Sequence, residues 1–423
     1  MDKIKFKNVE YVSPISNLNE FAKIACHHED FQRNYHKHEA YFLNANMEIV
    51  ARFESSEHFY VEQLSENVGN LFLLHDIFDE NFKIVRVENC EHEVIYSCQD
   101  IEHGVEDGCF AVKNNNLWGF INEDGTEIIK PQYKDYCAFV SNLAAVKKDD
   151  KWGFIDKFNE TIIPFEYDIP EFSSFLGELA PVGKNGKFGY IDKNGKVIIP
   201  LKYEETDITY PNAKIFPVKN NGKWNFIDIY ENVVNPFEYD NVECNDDGYP
   251  YYSVIKCGDY AKENPTFDTY GLVDPVGEKL IIPCVYNLLC PNPNSICAGI
   301  ITDNKEEKYG LIDYRNNKLT DFIYDRMDTS SSEGLYEARL GKNWGYIDEK
   351  GNIAVDFKYT QSERFCGGFA LTRNKEWKPV LINSKGEEIL TSESRRDIYN
   401  LGAGYALVQN QKTSEYEIVK VKE

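Results

Sequence analysis

The side chains best suited to chemistry in this sequence are its eight histidines, which all lie within the first 103 residues. The densest group contains His27, His28, His36 and His38, with Cys26 beside it. On a β-strand His36 and His38 would lie on one face, and with His27 or Cys26 they offer ligand types that Zn²⁺ prefers. The same stretch has the composition of a solvent-exposed polar loop, and we favour that interpretation. We therefore predict no metal site and no cofactor.

The rest of the chain contains no group of residues typical of an active site. No histidine follows residue 103, which excludes Ser-His and Cys-His catalysis there. No glycine-rich phosphate loop, HExxH motif or complete EF-hand loop occurs in the sequence. Carboxylates are frequent, but many stand where Asp or Asn stabilises a turn. We predict no catalytic residues and a protein that is not an enzyme.

Length and charge restrict the remaining function classes. The 423 residues include 70 acidic and 46 basic side chains, a net charge of -24, which disfavours nucleic acid as a partner. No segment approaches the ~18 apolar residues of a membrane span, and the N-terminus lacks a signal-peptide core. The 11 cysteines are irregularly spaced and form no CxxC, so we expect reduced thiols. We expect a cytoplasmic protein without membrane contact, whose charged partners are cationic.

A repeat extends over most of the chain. The sequence KWGFID at residues 151–156 is one of eight copies of a varied motif, which follow one another at spacings of 33 to 46 residues. Each copy has an aromatic anchor, then a small residue, an apolar pair and Asp or Asn. The anchors are Trp118, Trp152, Phe188, Trp224, Tyr270, Tyr309, Trp344 and Trp377. This regularity predicts one structural unit per copy.

Turn signals define the strands within each unit. Asn122 is followed three residues later by Gly125, the spacing of a type I turn, and Asp228 with Glu231 is the exception to the pattern. A second turn precedes the anchors, as at residues 185–186 (Asn-Gly), where both residues favour positive φ. Three short strands connected by these turns predict a three-stranded antiparallel meander. Prolines such as Pro200 would end its third strand.

Two further positions predict how units pack together. A tyrosine follows the third strand, as at Tyr133 and Tyr359, and we expect it to fill the seam between one unit and the next. A glycine follows most anchors, as at Gly189, and leaves bare backbone against which a ring could lie.

The segments KWGFID, KFGYID, KWNFID and NWGYID, each followed by a turn, IIP or a variant, and tyrosine, resemble the bacterial WG (KWG) β-repeat family. The resemblance covers residues 109–390. Phe188, Asn225, Tyr270, Tyr309 and Lys378 depart from the signature dipeptide. The resemblance implies an all-β repeat protein that acts as an interaction scaffold, without family-wide catalytic residues.

The predicted fold is an all-β tandem array of three-stranded antiparallel meanders in an open, twisted, solenoid-like stack. Roughly ten units exceed the 4 to 8 blades usual for a closed propeller, and a closed β-propeller of about eight blades is the alternative. We divide the chain into a divergent N-terminal region with degenerate repeats and a short helix near residues 16–25 (1–104), eight repeats (105–396) and a partial capping repeat (397–423).

The fifth unit carries an insertion of about ten residues, and insertions in repeat arrays often carry recognition. The candidate partner-binding residues there are Asp259, Tyr260, Lys262, Glu263, Phe267 and Asp268. The favoured function is a non-enzymatic scaffold for protein–protein interaction. The alternatives are an acidic immunity or inhibitor protein that neutralises a basic toxin or nuclease, and a metal-dependent enzyme whose site lies in the histidine-rich N-terminus.

Overall fold

A computed structural model describes the protein. The described residues are 5–7, 9–13, 22–30, 35–55, 59–64, 70–76, 81–88, 91–102, 108–168, 174–234, 238–244, 251–258, 267–276, 279–392, 398–410 and 412–421. Their regular structure consists entirely of β-strands. That part of the chain therefore holds no helix that could cross a membrane. The chain divides into unit 1, which contains Met1–Gln99 and Ile323–Glu423, and unit 2, which contains Asp100–Phe322.

Unit 1 contains five four-stranded antiparallel sheets among the described residues, and we call each sheet a blade. Blade 1 is formed by β2 (Val9–Ser13), β3 (Ala22–Asp30), β4 (Tyr35–Leu43) and β5 (Ile49–Ser55). Blade 2 is formed by β6 (Phe59–Gln63), β7 (Leu71–Asp76), β8 (Phe82–Glu88) and β9 (Glu91–Cys98). Blade 9 is formed by β31 (Arg326–Met327), β32 (Leu335–Leu340), β33 (Asn343–Asp348) and β34 (Ile353–Tyr359). Blade 10 is formed by β35 (Gln361–Ser362), β36 (Phe369–Arg373), β37 (Pro379–Asn383) and β38 (Glu388–Thr391), and blade 11 by β1 (Lys5–Phe6), β39 (Ile398–Gly402), β40 (Tyr405–Gln409) and β41 (Tyr416–Lys420).

Unit 2 contains blades 3 to 8, which have three or four antiparallel strands each in the described residues. Blade 3 is formed by β10 (Asp100–Glu102), β11 (Cys109–Asn114), β12 (Leu117–Asn122) and β13 (Glu127–Tyr133), and blade 4 by β14 (Asp135–Tyr136), β15 (Ala144–Lys148), β16 (Lys151–Ile155) and β17 (Thr161–Tyr167). Blade 5 is formed by β18 (Leu179–Lys184), β19 (Lys187–Asp192) and β20 (Val197–Tyr203), and blade 6 by β21 (Glu205–Thr206), β22 (Phe216–Asn220) and β23 (Lys223–Ile227). Blade 7 is formed by β24 (Asn241–Cys244), β25 (Tyr252–Lys256), β26 (Thr269–Asp274) and β27 (Lys279–Tyr286), and blade 8 by β28 (Leu288–Pro291), β29 (Ile296–Ile301) and β30 (Glu307–Ile312).

The prediction of an open solenoid of three-stranded meanders is wrong. The described strands form eleven small antiparallel sheets, which are blades of the β-propeller type, and the alternative of about eight blades is wrong in number. The first strand, β1, pairs with the last strand, β41, and Phe6 lies in a core with Leu401 and Leu407. An open stack would leave its two ends unpaired.

The two chain ends therefore complete one sheet, to which the C-terminal segment contributes three strands, β39, β40 and β41. Blade 11 takes its fourth strand from the N-terminus. The borders of units 1 and 2 also differ from the predicted domain borders at residues 104 and 396. The predicted helix is wrong where it is described, because Ala22, Ile24 and Ala25 belong to β3, while residues 14–21 lie outside the described residues.

The predicted turns are confirmed. The Asn122 side-chain oxygen accepts hydrogen bonds from the amides of Asp124 (3.0 Å) and Thr126 (2.9 Å), and Gly125 has φ of 78°. The exception, Glu231, adopts the same left-handed conformation with φ of 65°. The turns before the anchors have positive φ at both residues at 115–116, 185–186 and 221–222, and at the first residue only at 149–150 and 341–342.

The predicted role of the prolines is wrong, because β20 continues past Pro200 to Tyr203. The pairing of β19 with β20 shifts register between Phe188 and Tyr190, which is a β-bulge opposite Gly189. A Cβ atom at Gly189 would lie 2.4 Å from the carbonyl oxygen of Ile199. Gly189 is therefore required by the backbone of the bulge. In three other blades a ring does lie against the equivalent glycine, since an added Cβ would lie 3.1 Å from Phe165 at Gly153, 3.2 Å from Phe322 at Gly310 and 3.0 Å from Phe357 at Gly345.

The prediction that tyrosines fill the seams is confirmed for several blades. The Tyr133 hydroxyl of blade 3 donates a hydrogen bond of 2.7 Å to Asn159 in the turn of blade 4, and the Tyr286 hydroxyl of blade 7 donates one of 2.8 Å to Asn316 of blade 8. The Tyr133 ring also stacks on Phe165, with 6.3 Å between centroids. The buried Tyr359 hydroxyl has no hydrogen-bond partner, because the matching turn position in blade 10 is Gly386.

This difference predicts unequal effects of the same substitution. We expect Tyr133→Phe to lower the free energy of unfolding by about 1 kcal/mol, because the hydrogen bond from the buried Tyr133 side chain to the exposed Asn159 is lost. Tyr359→Phe removes a buried hydroxyl that has no partner, so we expect it to be neutral or slightly stabilising. Urea denaturation of both variants measures the difference, and equal losses of stability would contradict the assignment.

Candidate functional site

The predicted histidine group lies on neighbouring strands of blade 1. The backbone pairing of β3 with β4 places His27 opposite His38 and Cys26 opposite Glu39. The side chains of His27, His28 and His36 lie outside the described residues. Among the side chains that are described, no three His, Cys, Asp or Glu residues form a group able to hold a metal ion. The absence of a metal site remains a prediction.

The predicted binding insertion lies mostly outside the described residues, which resume at Phe267. Phe267 is exposed, as a partner-binding ring would need to be. Asp268 instead closes the base of the insertion, since its carboxylate accepts a hydrogen bond of 2.7 Å from the Gly258 amide and its carbonyl accepts one of 2.9 Å from Asn287. The binding role of Asp259, Tyr260, Lys262, Glu263, Phe267 and Asp268 remains a prediction.

Seven of the eight anchors lie on equivalent strands of their blades. These strands are β12, β16, β19, β23, β26, β30 and β33. Each tryptophan among these seven faces a basic residue on the neighbouring strand: Lys113 lies 5.3 Å from the Trp118 ring, and the pairs Lys147–Trp152, Lys219–Trp224 and Arg339–Trp344 each measure 5.8 Å. Glycine takes the opposite position where the anchor is Phe188 or Tyr309. These four tryptophan anchors therefore form cation–π pairs within their own blades.

The anchor assignment of Trp377 is wrong. Trp377 lies in the turn before β37, with φ of 62° and a side chain that is 50% exposed. Pro379, opposite Arg373, takes the place that Trp344 has opposite Arg339 in blade 9. The sequence pattern pointed to Trp377, two residues too early, because Pro379 at the equivalent strand position is not aromatic.

A row of exposed apolar side chains extends along the outer turns of blades 4, 5 and 6. We call it the turn patch, and its residues are Phe158, Ile162, Val197, Ile229, Tyr230 and Val233. Phe158 and Tyr230 are 86% and 81% exposed and occupy the same turn position in blades 4 and 6. The equivalent position is polar in most other blades, for example Asn194 in blade 5 and Lys350 in blade 9.

The seams arrange these turns side by side. The turn of blade 5 lies on blade 4, since a Cβ atom at Gly195 would lie 3.5 Å from Ile163. The turn of blade 6 lies on blade 5, where the Tyr203 hydroxyl donates a hydrogen bond of 3.0 Å to Glu231. Neighbouring sheets pack about 10 Å apart, so Phe158 and Tyr230 are separated by roughly 20 Å or more. Sequence analysis missed this patch, although an aromatic residue within a turn was a usable signal.

A second group that the sequence did not reveal is a pair of carboxylates between blades 9 and 10. The Ser362 hydroxyl of β35 donates a hydrogen bond of 2.8 Å to Glu337 of β32, and the Asp328 amide donates one of 2.8 Å to the Glu337 carbonyl. Burial raises the pKa of the Glu337 carboxyl to about 7, and the nearby Asp328 carboxylate adds to this. Arg364 forms an ion pair with Asp328.

In this pair the Glu337 carboxyl, whose pKa is raised to about 7, lies near the Asp328 carboxylate, which is ion-paired with Arg364. Such a pair has the elements of acid–base chemistry. Ser362, however, is buried and its hydroxyl is directed to Glu337. The equivalent position of Glu337 is occupied by Ala145 in blade 4 and Pro181 in blade 5, both packed in the core. The arrangement therefore fits a pH-sensitive contact between blades.

Comparison with solved structures yields matches of low identity. They include a eukaryotic initiation factor, which is 11% identical over 73% of this chain and 86% of that chain, with a TM-score of 0.43. BamB from Moraxella catarrhalis is 8% identical over 99% and 96% of the two chains, with a TM-score of 0.26. The WD40 β-propeller domain of Doa1 is 10% identical over 60% and 89%, with a TM-score of 0.27. These similarities carry no functional information, and no curated protein matches the sequence.

Comparison with family models identifies the repeat. The WG containing repeat matches residues 118–152, 152–188, 188–224, 309–344 and 344–376. Each match begins at an anchor ring, as at Trp118 and Trp344, and four of the five end at the next anchor. One match therefore contains the last two strands of one blade and the first strands of the next. In these five segments the chain therefore carries repeats of the WG type.

Proposed function

We propose that the protein is a non-enzymatic scaffold that binds a protein partner through the turn patch. The observation that carries this proposal is the exposure of Phe158 and Tyr230 at turn positions that are polar in most other blades. Large exposed apolar side chains grouped on one surface are typical of protein–protein interaction sites. The turns that present them are held by hydrogen bonds of Asp156 and Asp228, so little ordering is needed on binding.

The proposed partner is cationic. The net charge of -24 supports this, and so do exposed acidic side chains on the first strands of several blades in unit 2, among them Glu102, Asp135, Glu205 and Glu243. Long-range attraction by these charges would speed association and make it sensitive to salt. An inhibitor of a basic toxin would be one protein of this kind. The enclosure of Glu337 by Ser362 supports a structural role for that carboxylate in place of catalysis.

Site-specific photocrosslinking tests this function. The photoreactive amino acid p-benzoylphenylalanine is placed at Phe158 and, separately, at Tyr230. The matched controls carry it at Asn194 and Lys350, which occupy the same turn position in blades 5 and 9. We expect the same discrete adduct from residues 158 and 230, a weaker adduct from 194 and none from 350.

A companion experiment measures affinity for the partner identified in this way. Phe158→Ser with Tyr230→Ser should weaken binding at least tenfold while leaving the melting temperature unchanged, because both side chains are largely exposed. Asn194→Ser serves as the control and should have no effect. Equal crosslinking from all four positions, or full binding by the double variant, would remove the turn patch from the proposed function.

A further inference from the structure

Two cysteines of blade 8 lie directly opposite each other. β28 and β29 are antiparallel, and their register pairs Cys290 with Cys297. Residues that pair in this way lie on the same face of a sheet. Neither cysteine is in a disulfide, so both side chains are reduced thiols. In the described strand pairs no other two cysteines are register partners, for Cys26 pairs with Glu39 and Cys244 with Tyr252.

The spacing of this pair is compatible with a disulfide. The Asn292 amide donates a hydrogen bond of 2.9 Å to the Ser295 carbonyl, and alternation along the ladder makes Cys290–Cys297 a hydrogen-bonded pair as well. Such pairs have Cα atoms about 5.5 Å apart, within the range of about 4.4 to 6.8 Å that disulfides span. Their Cβ atoms are about 4.5 to 5.5 Å apart, slightly more than a relaxed disulfide requires, so the bond would be strained and readily reduced.

The hairpin that holds the two thiols has a fixed register. Only Pro293 and Asn294 lie between Asn292 and Ser295, the last hydrogen-bonded pair of the hairpin. The Asn292 side chain also donates a hydrogen bond of 3.1 Å to the Cys290 carbonyl. The Tyr314 hydroxyl donates a further bond of 2.7 Å to the Asn292 carbonyl. These contacts prevent the strands from slipping, so the thiols stay opposite each other.

The two thiols differ in accessibility. Cys297 is completely buried, whereas Cys290 is only partly buried. A small oxidant therefore reaches Cys290 first, and the second thiol is already in position to react with the product. This combination of an accessible thiol with an enclosed partner is typical of reversible redox pairs.

We propose that Cys290 and Cys297 form a reversible redox site, in which a peroxide oxidises the dithiol to a cross-strand disulfide. Hydrogen peroxide transfers one oxygen to the Cys290 sulfur, which becomes a sulfenic acid, and one water is released. The Cys297 sulfur then attacks the Cys290 sulfur, and the hydroxyl leaves as a second water. Two thiols and one peroxide thus yield one disulfide and two waters. The bond ties β28, the first strand of blade 8, covalently to β29.

Differential alkylation of the full-length protein tests the site. The protein is treated with hydrogen peroxide, denatured in N-ethylmaleimide to block free thiols, reduced with dithiothreitol, labelled with iodoacetamide and digested with trypsin. The peptide from Leu280 to Lys305 contains Cys284, Cys290 and Cys297. We expect iodoacetamide on Cys290 and Cys297 and maleimide on Cys284, as located by tandem mass spectrometry. A sample reduced before blocking should carry maleimide at all three.

Two variants sharpen the result. Cys290→Ser should leave Cys297 labelled with maleimide after peroxide treatment, whereas Cys284→Ser should retain the iodoacetamide pair. Maleimide on both Cys290 and Cys297 of the treated wild-type protein would overturn the proposal. So would a disulfide that includes Cys284, or a sulfinic acid at Cys290 beside a free Cys297.

Discussion

Replacing Gly189 by alanine should lower the free energy of unfolding by more than about 3 kcal/mol, which makes it one of the most damaging single-methyl additions in the chain. The added Cβ would lie 2.4 Å from the carbonyl oxygen of Ile199 and 2.6 Å from that of Pro200. Both contacts are with backbone atoms of the bulge in β20, which cannot rotate away as a side chain would. The last strand of blade 5, β20, which we call its outer strand, must therefore detach or shift.

Two other blades lack this glycine. Blade 6 has Asn225 at the equivalent position, and its outer strand is reduced in the described residues to the isolated pairs Trp224–Tyr239 and Ile227–Val233. Blade 10 has Val380 there, and its outer strand, β38, has four residues where β20 has seven. Blade 8 keeps Gly310 and yet has, in the described residues, only the isolated Ile312–Lys318 bridge in place of an outer strand, so the glycine alone does not set the length of that strand.

The control substitution for this prediction is Gly186→Ala. Gly186 has φ of 71°, and a Cβ atom added there would have no other atom within 4 Å, so only backbone strain is introduced. We expect that strain to cost about 1 kcal/mol. Urea denaturation of the two variants compares steric overlap with strain directly. Similar losses of stability in both would show that the bulge accommodates a methyl group.

The second prediction concerns pH. Glu337 has a raised pKa of about 7 in the folded protein, against an ordinary value of 4.5. The folded state therefore holds this proton more tightly than the unfolded state does. Below about pH 4.5 the carboxyl is protonated in both states and there is no penalty. As pH rises towards 7 the unfolded state ionises first, so the stability of the folded protein decreases, and it levels off above pH 7.

Glu337→Gln removes this dependence, because the amide stays neutral at every pH. We expect the variant to match the wild-type protein near pH 4.5 and to be more stable by about 1 to 2 kcal/mol at pH 8. The difference in pKa alone would allow about 3 kcal/mol, but the side chain is partly solvated, which reduces the effect. Glu388→Gln, which changes an exposed carboxylate of β38, should show no such trend. Thermal melts between pH 5 and 8 make the comparison, and parallel curves for Glu337→Gln and wild type would refute it.

Much of each repeat could be predicted from short-range patterns. Asn122 and Gly125 fix a turn through bonds that span four residues, and that chemistry can be read from the sequence. The position of Tyr133 after the third strand also indicated a seam residue correctly. The fourth strand was missed because β14 and β21 have two residues each, too few to show any alternation of apolar and polar positions.

The candidate sites were largely hidden from sequence analysis. Phe158 and Tyr230 are 72 positions apart and come to lie in one row, with blade 5 between them, only when successive blades pack. Glu337 and Ser362 meet across the seam between blades 9 and 10, and Cys290 and Cys297 meet only in a particular register. A difference of one residue in that register would have placed the two thiols on opposite faces of the sheet.

The amino-acid sequence alone determined the repeating unit of this protein, namely its turns, its anchor positions and its all-β character. These follow from interactions between residues a few positions apart, which the local pattern encodes. Only the tertiary structure decided that the units are eleven propeller-type blades and that β1 completes the last of them beside β41. The pairing of Phe6 with Tyr416 joins residues about 400 positions apart, and no local sequence pattern specifies a contact over that distance.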